Sequence, residues 1–161
     1  AVEDPNPYVI TGIAGRLGFS VISVEKAMMN GEVGFGRKVL QAVEEFGLSF
    51  EHMPTGIDTM CVVLSTAELE PVKEQLTRRI WETTNPDTLT IHDNMGIIAT
   101  VGRGMVHNPG TAARLFTALS RYHINVRMID QGSSELSILV GVDSGEFQQA
   151  ILAIYDEFVS E

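Results

Sequence analysis

One cysteine, Cys61, in 161 residues leaves no way to build a disulfide or a cysteine-rich zinc site within the chain. It lies in the apolar run MCVVL and reads as a small buried hydrophobe. Basic residues are also few: 11 Lys and Arg stand against 21 Asp and Glu, for a formal net charge of −10. A surface that neutralises phosphates needs the opposite balance, so nucleic acid and anionic membrane are excluded as main partners. No apolar stretch reaches the roughly 18 residues of a spanning helix. The opening AVEDPNPY is polar and carries two prolines, unlike a secretion signal. A cytoplasmic location fits these absences. EDPNP reads as a linker, so a fragment of a larger protein is expected.

Catalytic motifs are missing too. IAGRLGF, GFGRK and VGRGM contain glycines, yet none matches GxxxxGKS/T or GxGxxG, and no ATP site is visible in this chain. His52, His92, His107 and His123 form no HxH or HExxH spacing, so no metal site is expected. There is no GxSxG elbow. Ser133 and Ser134 fall at a strand–strand turn, where hydroxyls cap backbone groups. Glu44 and Glu45 read as a solvated helix face. A small enzyme on this scaffold would need a convergent acid, base or nucleophile, and none is apparent.

What is present is a repeat. Shifted by 76 residues, GFGRKVLQAVEEFGLSFEHM lies over GTAARLFTALSRYHINVRMI without a gap. Identities are five in the 46 positions aligned from residue 19 to 64, but the apolar pattern repeats throughout. In each copy a strand-like run comes first, FSVISVEKAM or MGIIATVGRG. A helix follows, with Val39, Leu40, Val43 and Phe46, or Leu115, Phe116, Leu119 and Tyr122, at helical spacing. Short strands are expected at LSFEHM and TMCVVL, and at INVRMI and LSILVGV. Second helices are expected over 70–84, with Pro71 in the first turn, and 145–158. TLTIHD closes the first copy.

This order is the ferredoxin-like βαββαβ pattern. The expected fold class is α+β: two such units packed side by side, each an antiparallel sheet with helices on one face. Residues 8–16, YVITGIAGR, precede the first copy, while the second lacks a closing strand. The leading strand is therefore assigned to the second unit, giving domains 18–93 and 8–17 plus 94–161.

One repeated feature suggests binding. The turns MNGEVGFG and MVHNPGTA place glycines, and so open backbone N–H groups, at a helix entrance that suits a carboxylate. Glu51 on the next strand would hold an ammonium group. A free amino acid carries both charges. Ordinary tight turns remain the alternative.

The runs MMNGEVGFGRKVLQAVEEFGLSFEHMPTGID, TVGRGMVHNPGTAARLFTAL and INVRMIDQGSSELSILVGV resemble the regulatory half of bacterial aspartate kinases over nearly the whole chain. That resemblance implies two ACT domains, the first inserted in the second. It implies a kinase domain on the N-terminal side, using ATP and Mg to phosphorylate the β-carboxylate of aspartate; no cofactor is expected in this fragment itself. It also implies a homodimer through the first ACT domains and an end-product effector between chains, lysine first and threonine next. Matching effector positions are Met29, Gly34, Phe35, Gly36, Ser49, Phe50, Glu51, Asp58 and Thr59, with Phe35 and Phe50 offering apolar contact. Around Asn108, Pro109, Gly110, Asn125 and Gln131 the second domain either binds ligand or only packs. Three departures stand out. Glu51 replaces a common Asp, GEVGFG lacks a proline–glycine pair that HNPG keeps, and the PTGID loop carries two extra residues. A ligand-free dimerisation module is the alternative.

Overall fold

The computed structural model describes residues 10–102, 105, 109–131 and 137–159. His107, Asn108, Ser133, Ser134 and the EDPNP segment lie outside them. Contacts divide the chain into two compact units, Gly18–Met95 and Ala1–Leu17 with Gly96–Glu161. The chain passes between them inside two 14-residue strands, β1 (Gly12–Glu25) and β4 (Thr88–Val101). The sequence predicts separate strands over 8–16 and 19–28, and over 88–93 and 95–104; each pair is instead one strand within the bounds of β1 and β4. Gly18 (φ 87°) and Asn94 (φ 57°) supply the physical reason, since a left-handed residue can redirect a strand without ending it.

In the first unit, helix α1 (Phe35–Glu45) is followed by strands β2 (Phe50–His52) and β3 (Thr59–Ser65). Strand order is β2-β3-β1-β4. β1 and β3 are antiparallel, in register from Phe19 opposite Ser65 to Glu25 opposite Thr59. The predicted helix over 70–84 begins as a 3-10 turn at Glu70–Val72 and continues as α3 (Lys73–Thr84), with an unpredicted short helix α2 (Thr66–Leu69) before it. Pro71, without an N–H, sits in the intervening turn, where no helical donor is needed. Phe35, Val39, Ala42 and Val43 of α1 close over Ile22, Val24, Met60, Val62 and Leu64. Their i, i+4, i+7, i+8 spacing makes one apolar stripe. Cys61, on the other face of β3, is half-buried rather than buried. Burial pushes its thiol pKa up.

The second unit has strand order β1-β4-β6-β5, with helix α4 (Thr111–Arg121), strands β5 (Met128–Asp130) and β6 (Ser137–Asp143), and helix α5 (Phe147–Phe158). Its core joins Ile10 and Ile98 to Leu115, Leu119, Val140, Val142, Ala150 and Ile154.

α1 and α4 end alike. After α1, Gly47 adopts φ 70°, and the Leu48 N–H reaches back to the Val43 carbonyl at 3.1 Å. After α4 the same place falls to His123 at φ 57°, with Ile124 N–H on the Leu119 carbonyl at 3.0 Å. This left-handed C-terminal motif favours glycine; a residue with a β-carbon costs about 1 kcal/mol there. His123→Gly should therefore stabilise the protein by somewhat under about 1 kcal/mol, after the added flexibility of the unfolded glycine. Urea unfolding reads this as a higher midpoint at constant slope; a lower midpoint would contradict it.

The repeat breaks at one place beneath the second helices. Gly96 is the counterpart of Ser20, 76 residues earlier. In the second unit Phe147, first residue of α5, lies over Gly15 and Gly96: a β-carbon at Gly15 would come within 2.5 Å of its Cζ, and one at Gly96 would collide with its ring. In the first unit the first residue of α3 is Lys73. Its Nζ donates to Asp93 Oδ2 at 2.7 Å. Ser20, fully buried, donates to Asp93 Oδ1 at 2.7 Å and shares a 2.8 Å hydrogen bond with Thr66. A charged, hydrogen-bonded cluster thus stands where the sister unit has an aromatic ring on glycine.

Candidate functional site

The turn between β1 and α1 is built from backbone. β1 pairing ends at Glu25 opposite Thr59, and the Lys26 N–H extends it to the Asp58 carbonyl at 3.0 Å. Met28 then takes φ 61°, a 3-10 turn covers Met29–Gly31, and Gly34 takes φ 82° at the entrance of α1. No side chain caps α1; the Phe35 N–H donates to the Glu32 carbonyl at 3.4 Å, which leaves the N–H groups of Gly36 and Arg37 to face an anion. Asp58 and Thr59 lie beside this turn, at the start of β3.

Two predicted contacts need correction. Phe35 is 3% exposed and Met29 6%; both side chains belong to the core cluster. Phe35 therefore does not offer its ring as an apolar wall, because the turn's geometry points it inward beside Val39. The exposed apolar side chains at this end are Met28, Val33 and Ile57, none of which the sequence singled out.

Ser49, Phe50 and Glu51 lie elsewhere. Phe50 pairs with Leu64, and His52 with Val63 across a bulge, whereas Thr59 pairs with Glu25. Leu64 and Thr59 are five residues apart on β3, about 17 Å at ~3.4 Å per residue. Phe50 is 45% exposed and Glu51 is exposed, on the outermost strand of the sheet. The predicted residues thus form two groups: Met29, Gly34, Phe35, Gly36, Asp58 and Thr59 at one end, and Ser49, Phe50 and Glu51 toward the other.

A charged clasp secures the turn. Lys26 Nζ pairs with Glu32 Oε2 at 2.8 Å, donates to the Thr84 carbonyl at 2.8 Å and lies 5.8 Å from the Phe35 ring centre. Lys38 approaches Glu32 at 3.9 Å. Asp87 Oδ2 accepts from the Ala27 N–H at 2.7 Å. Lys26, Glu32 and Asp87 hold the turn in place, and sequence reasoning missed them, since Thr84 and Asp87 are distant in the chain and no spacing announces them. Glu32 is thereby matched by two lysines, while Glu51 and Asp58 remain as exposed carboxylates.

The second unit repeats the uncapped entrance, with Gly110 at φ 86° before α4. Pro109, Gly110, Asn125 and Gln131 are exposed; Asn108 is outside the described residues. Gly110 and Asn125 flank opposite ends of an 11-residue helix, about 16 Å at ~1.5 Å per residue. They do not converge. The Asn125 N–H is held by Glu146 Oε2 at 3.1 Å. Among the described residues no cluster of three His, Cys, Asp or Glu could hold a metal ion, and no helix is long and apolar enough to cross a membrane.

Comparison with known proteins agrees with this architecture. The ACT domain family profile matches residues 98–158. Aspartokinase 3 of Bacillus subtilis strain 168 is 42% identical over 150 residues, covering 92% of this chain and 33% of the relative. The crystal structure of Clostridium acetobutylicum aspartate kinase superposes with a TM-score of 0.90 at 45% identity, over 97% of this chain and 37% of that one. E. coli aspartokinase III, solved in complex with lysine and aspartate, shares the fold at a TM-score of 0.75 and 17% identity, over 98% of this chain and 35% of that one. The chain thus spans about a third of the length of these relatives. It belongs to the family of ACT-domain regulatory regions of aspartokinases.

Proposed function

We propose that this chain senses an end-product amino acid, with lysine the first candidate and threonine the second, and passes feedback inhibition to a kinase domain in the longer protein. The observation that carries the reading is the separation of the two residue groups. An uncapped helix entrance with Asp58 lies at one end, and an exposed edge strand with Phe50 and Glu51 lies about 17 Å away. A pocket that uses both closes when a second copy brings its edge strand to the first copy's turn. The homodimer through the first ACT domains follows from that need.

In this arrangement the N–H groups around Gly36 take the effector's carboxylate, and Asp58 takes its α-ammonium. Phe50 covers its aliphatic chain. Glu51 takes the second ammonium that lysine has and threonine lacks, which is the physical case for lysine. That a chain of the same fold has been crystallised with lysine supports the choice.

The kinase domain of the longer protein would carry ATP and Mg and phosphorylate aspartate in the cytoplasm. Effector binding would favour one dimer arrangement; a coupling of about 1–3 kcal/mol yields a roughly 5–150-fold change. Glu51→Ala should weaken lysine binding about tenfold, the loss of one charge-assisted hydrogen bond, with unchanged melting in the absence of ligand. Calorimetric titration of lysine and threonine against both proteins measures it. Equal lysine affinity in the two would remove Glu51 from the site, and no binding of either amino acid would leave a dimerisation module.

A further inference from the structure

The β1–α1 turn carries a second chemistry in its own covalent structure. The chain has six asparagines. Asn6, Asn85 and Asn108 each precede proline, whose nitrogen bears no hydrogen and cannot attack the side chain before it. Asn94 lies within β4 and precedes Met95, which is 1% exposed. Asn125 precedes the β-branched Val126. Asn30 alone precedes glycine, and both Asn30 and Gly31 are exposed.

Geometry around Gly31 leaves the attack unhindered. A β-carbon there would meet nothing within 4 Å. What restrains the nitrogen is one hydrogen bond, Gly31 N–H to the Met28 carbonyl at 3.0 Å, in a three-residue 3-10 turn. Met28, at φ 61° and 83% exposed, holds that turn in a left-handed conformation costly for a residue with a β-carbon. Met29 anchors the start of the turn in the core, but the Asn30–Gly31 peptide that follows is exposed and needs to break only that one hydrogen bond to open locally.

We propose that Asn30 is a site of spontaneous modification that tunes this turn. On opening, the Gly31 nitrogen loses its proton and attacks Asn30 Cγ. The Cγ–N bond of the amide breaks, ammonia leaves with that proton, and a succinimide forms. Water then opens the ring to aspartate or isoaspartate. The product adds a negative charge beside the helix entrance that the proposed effector's carboxylate would use, and isoaspartate also lengthens the backbone by one carbon. Bound effector, by holding the turn closed, slows the reaction. These effects on binding rest on the sensor reading; the chemistry of Asn30 does not.

The test incubates the chain at pH 7 and pH 9, with and without saturating lysine, and follows amide-to-acid conversion by peptide mass mapping together with released ammonia. Asn30 should convert ahead of every other asparagine, faster at pH 9. Conversion should be severalfold slower in Gly31→Ala, whose side chain has room and whose native circular dichroism serves as the folding control. Asn30→Asp should bind lysine about fivefold more weakly, the effect of one added surface charge. An intact Asn30 while another asparagine converts, or an unchanged rate in Gly31→Ala, overturns the modification site. Conversion that lysine does not slow, with Asn30→Asp binding lysine normally, overturns its link to the effector and leaves the chemistry standing.

Discussion

Replacing Asp93 by alanine should cost the fold about 2 kcal/mol at neutral pH, the loss of charge-assisted hydrogen bonds to a fully buried hydroxyl and a lysine. Ser20 would keep Thr66 but lose its carboxylate acceptor, and Lys73 would lose its 2.7 Å counter-ion. The value stays below the range for a fully buried pair, because Asp93 and Lys73 retain about a third of their side-chain exposure, 34% and 29%. The hydrogen bond from Lys73, then that from Ser20, holds the Asp93 carboxyl below its ordinary pKa. The same bond from the other side raises the Lys73 pKa.

The signs fix the pH window. A carboxyl made more acidic by folding contributes fully above the ordinary carboxylate range and loses that contribution as pH falls through its folded value. A lysine made less acidic contributes fully below its ordinary range and loses it only as pH rises past its folded value. The stability gap between the native protein and Asp93→Asn should therefore be widest between about pH 5 and 10 and close in acid. Urea unfolding at pH 7 and pH 3 measures it; a gap of equal size at both would refute the ion-pair origin.

Gly96→Ala should destabilise the second unit by about 2 kcal/mol, as overpacking does. The new methyl group would collide with the Phe147 ring and lie 3.1 Å from Leu17 Cδ2. Two elements pin Phe147: it is the first residue of α5, and its ring also rests against Gly15. The collision has a specific remedy. Phe147→Leu costs something by itself, but combined with Gly96→Ala the penalties should sum to less than their parts, with a favourable interaction of about 1 kcal/mol in the double-mutant cycle. Strict additivity would show that the ring does not oppose the methyl group. The counterpart Ser20→Gly, in the first unit, should instead act through the hydrogen bonds to Asp93 and Thr66.

The repeat, the ferredoxin-like order of elements and the glycine-lined turn before α1 were readable from residue spacing. Val39, Leu40, Val43 and Phe46 declare an apolar helix face by period, of which Val39 and Val43 are buried and Leu40 and Phe46 pack partly against the core; Gly34 and Gly47 mark the two ends of the helix. Strand continuity was not readable. Nothing local in RLGFS or HDNMG says that pairing persists through a left-handed residue, since that depends on partners dozens of residues away. The role of Phe35 was misjudged for a related reason: a ring beside a glycine-rich turn suits a ligand or a core equally well, and only its neighbours decide. The clasp from Lys26 to Glu32 and Thr84 was invisible, because it joins the first turn to the end of α3 across 58 residues.

Composition and periodicity alone determined that two similar half-sheets exist, which faces of their helices are apolar, and where backbone donors stand open, because those properties arise from each residue and its near neighbours. Tertiary structure alone decided that β1 and β4 run unbroken, that a charged cluster under α3 answers an aromatic ring under α5, and that Asp58 and Glu51 stand far apart on one chain. Those outcomes depend on strand register and on how distant side chains divide a fixed space, and no local pattern carries that information.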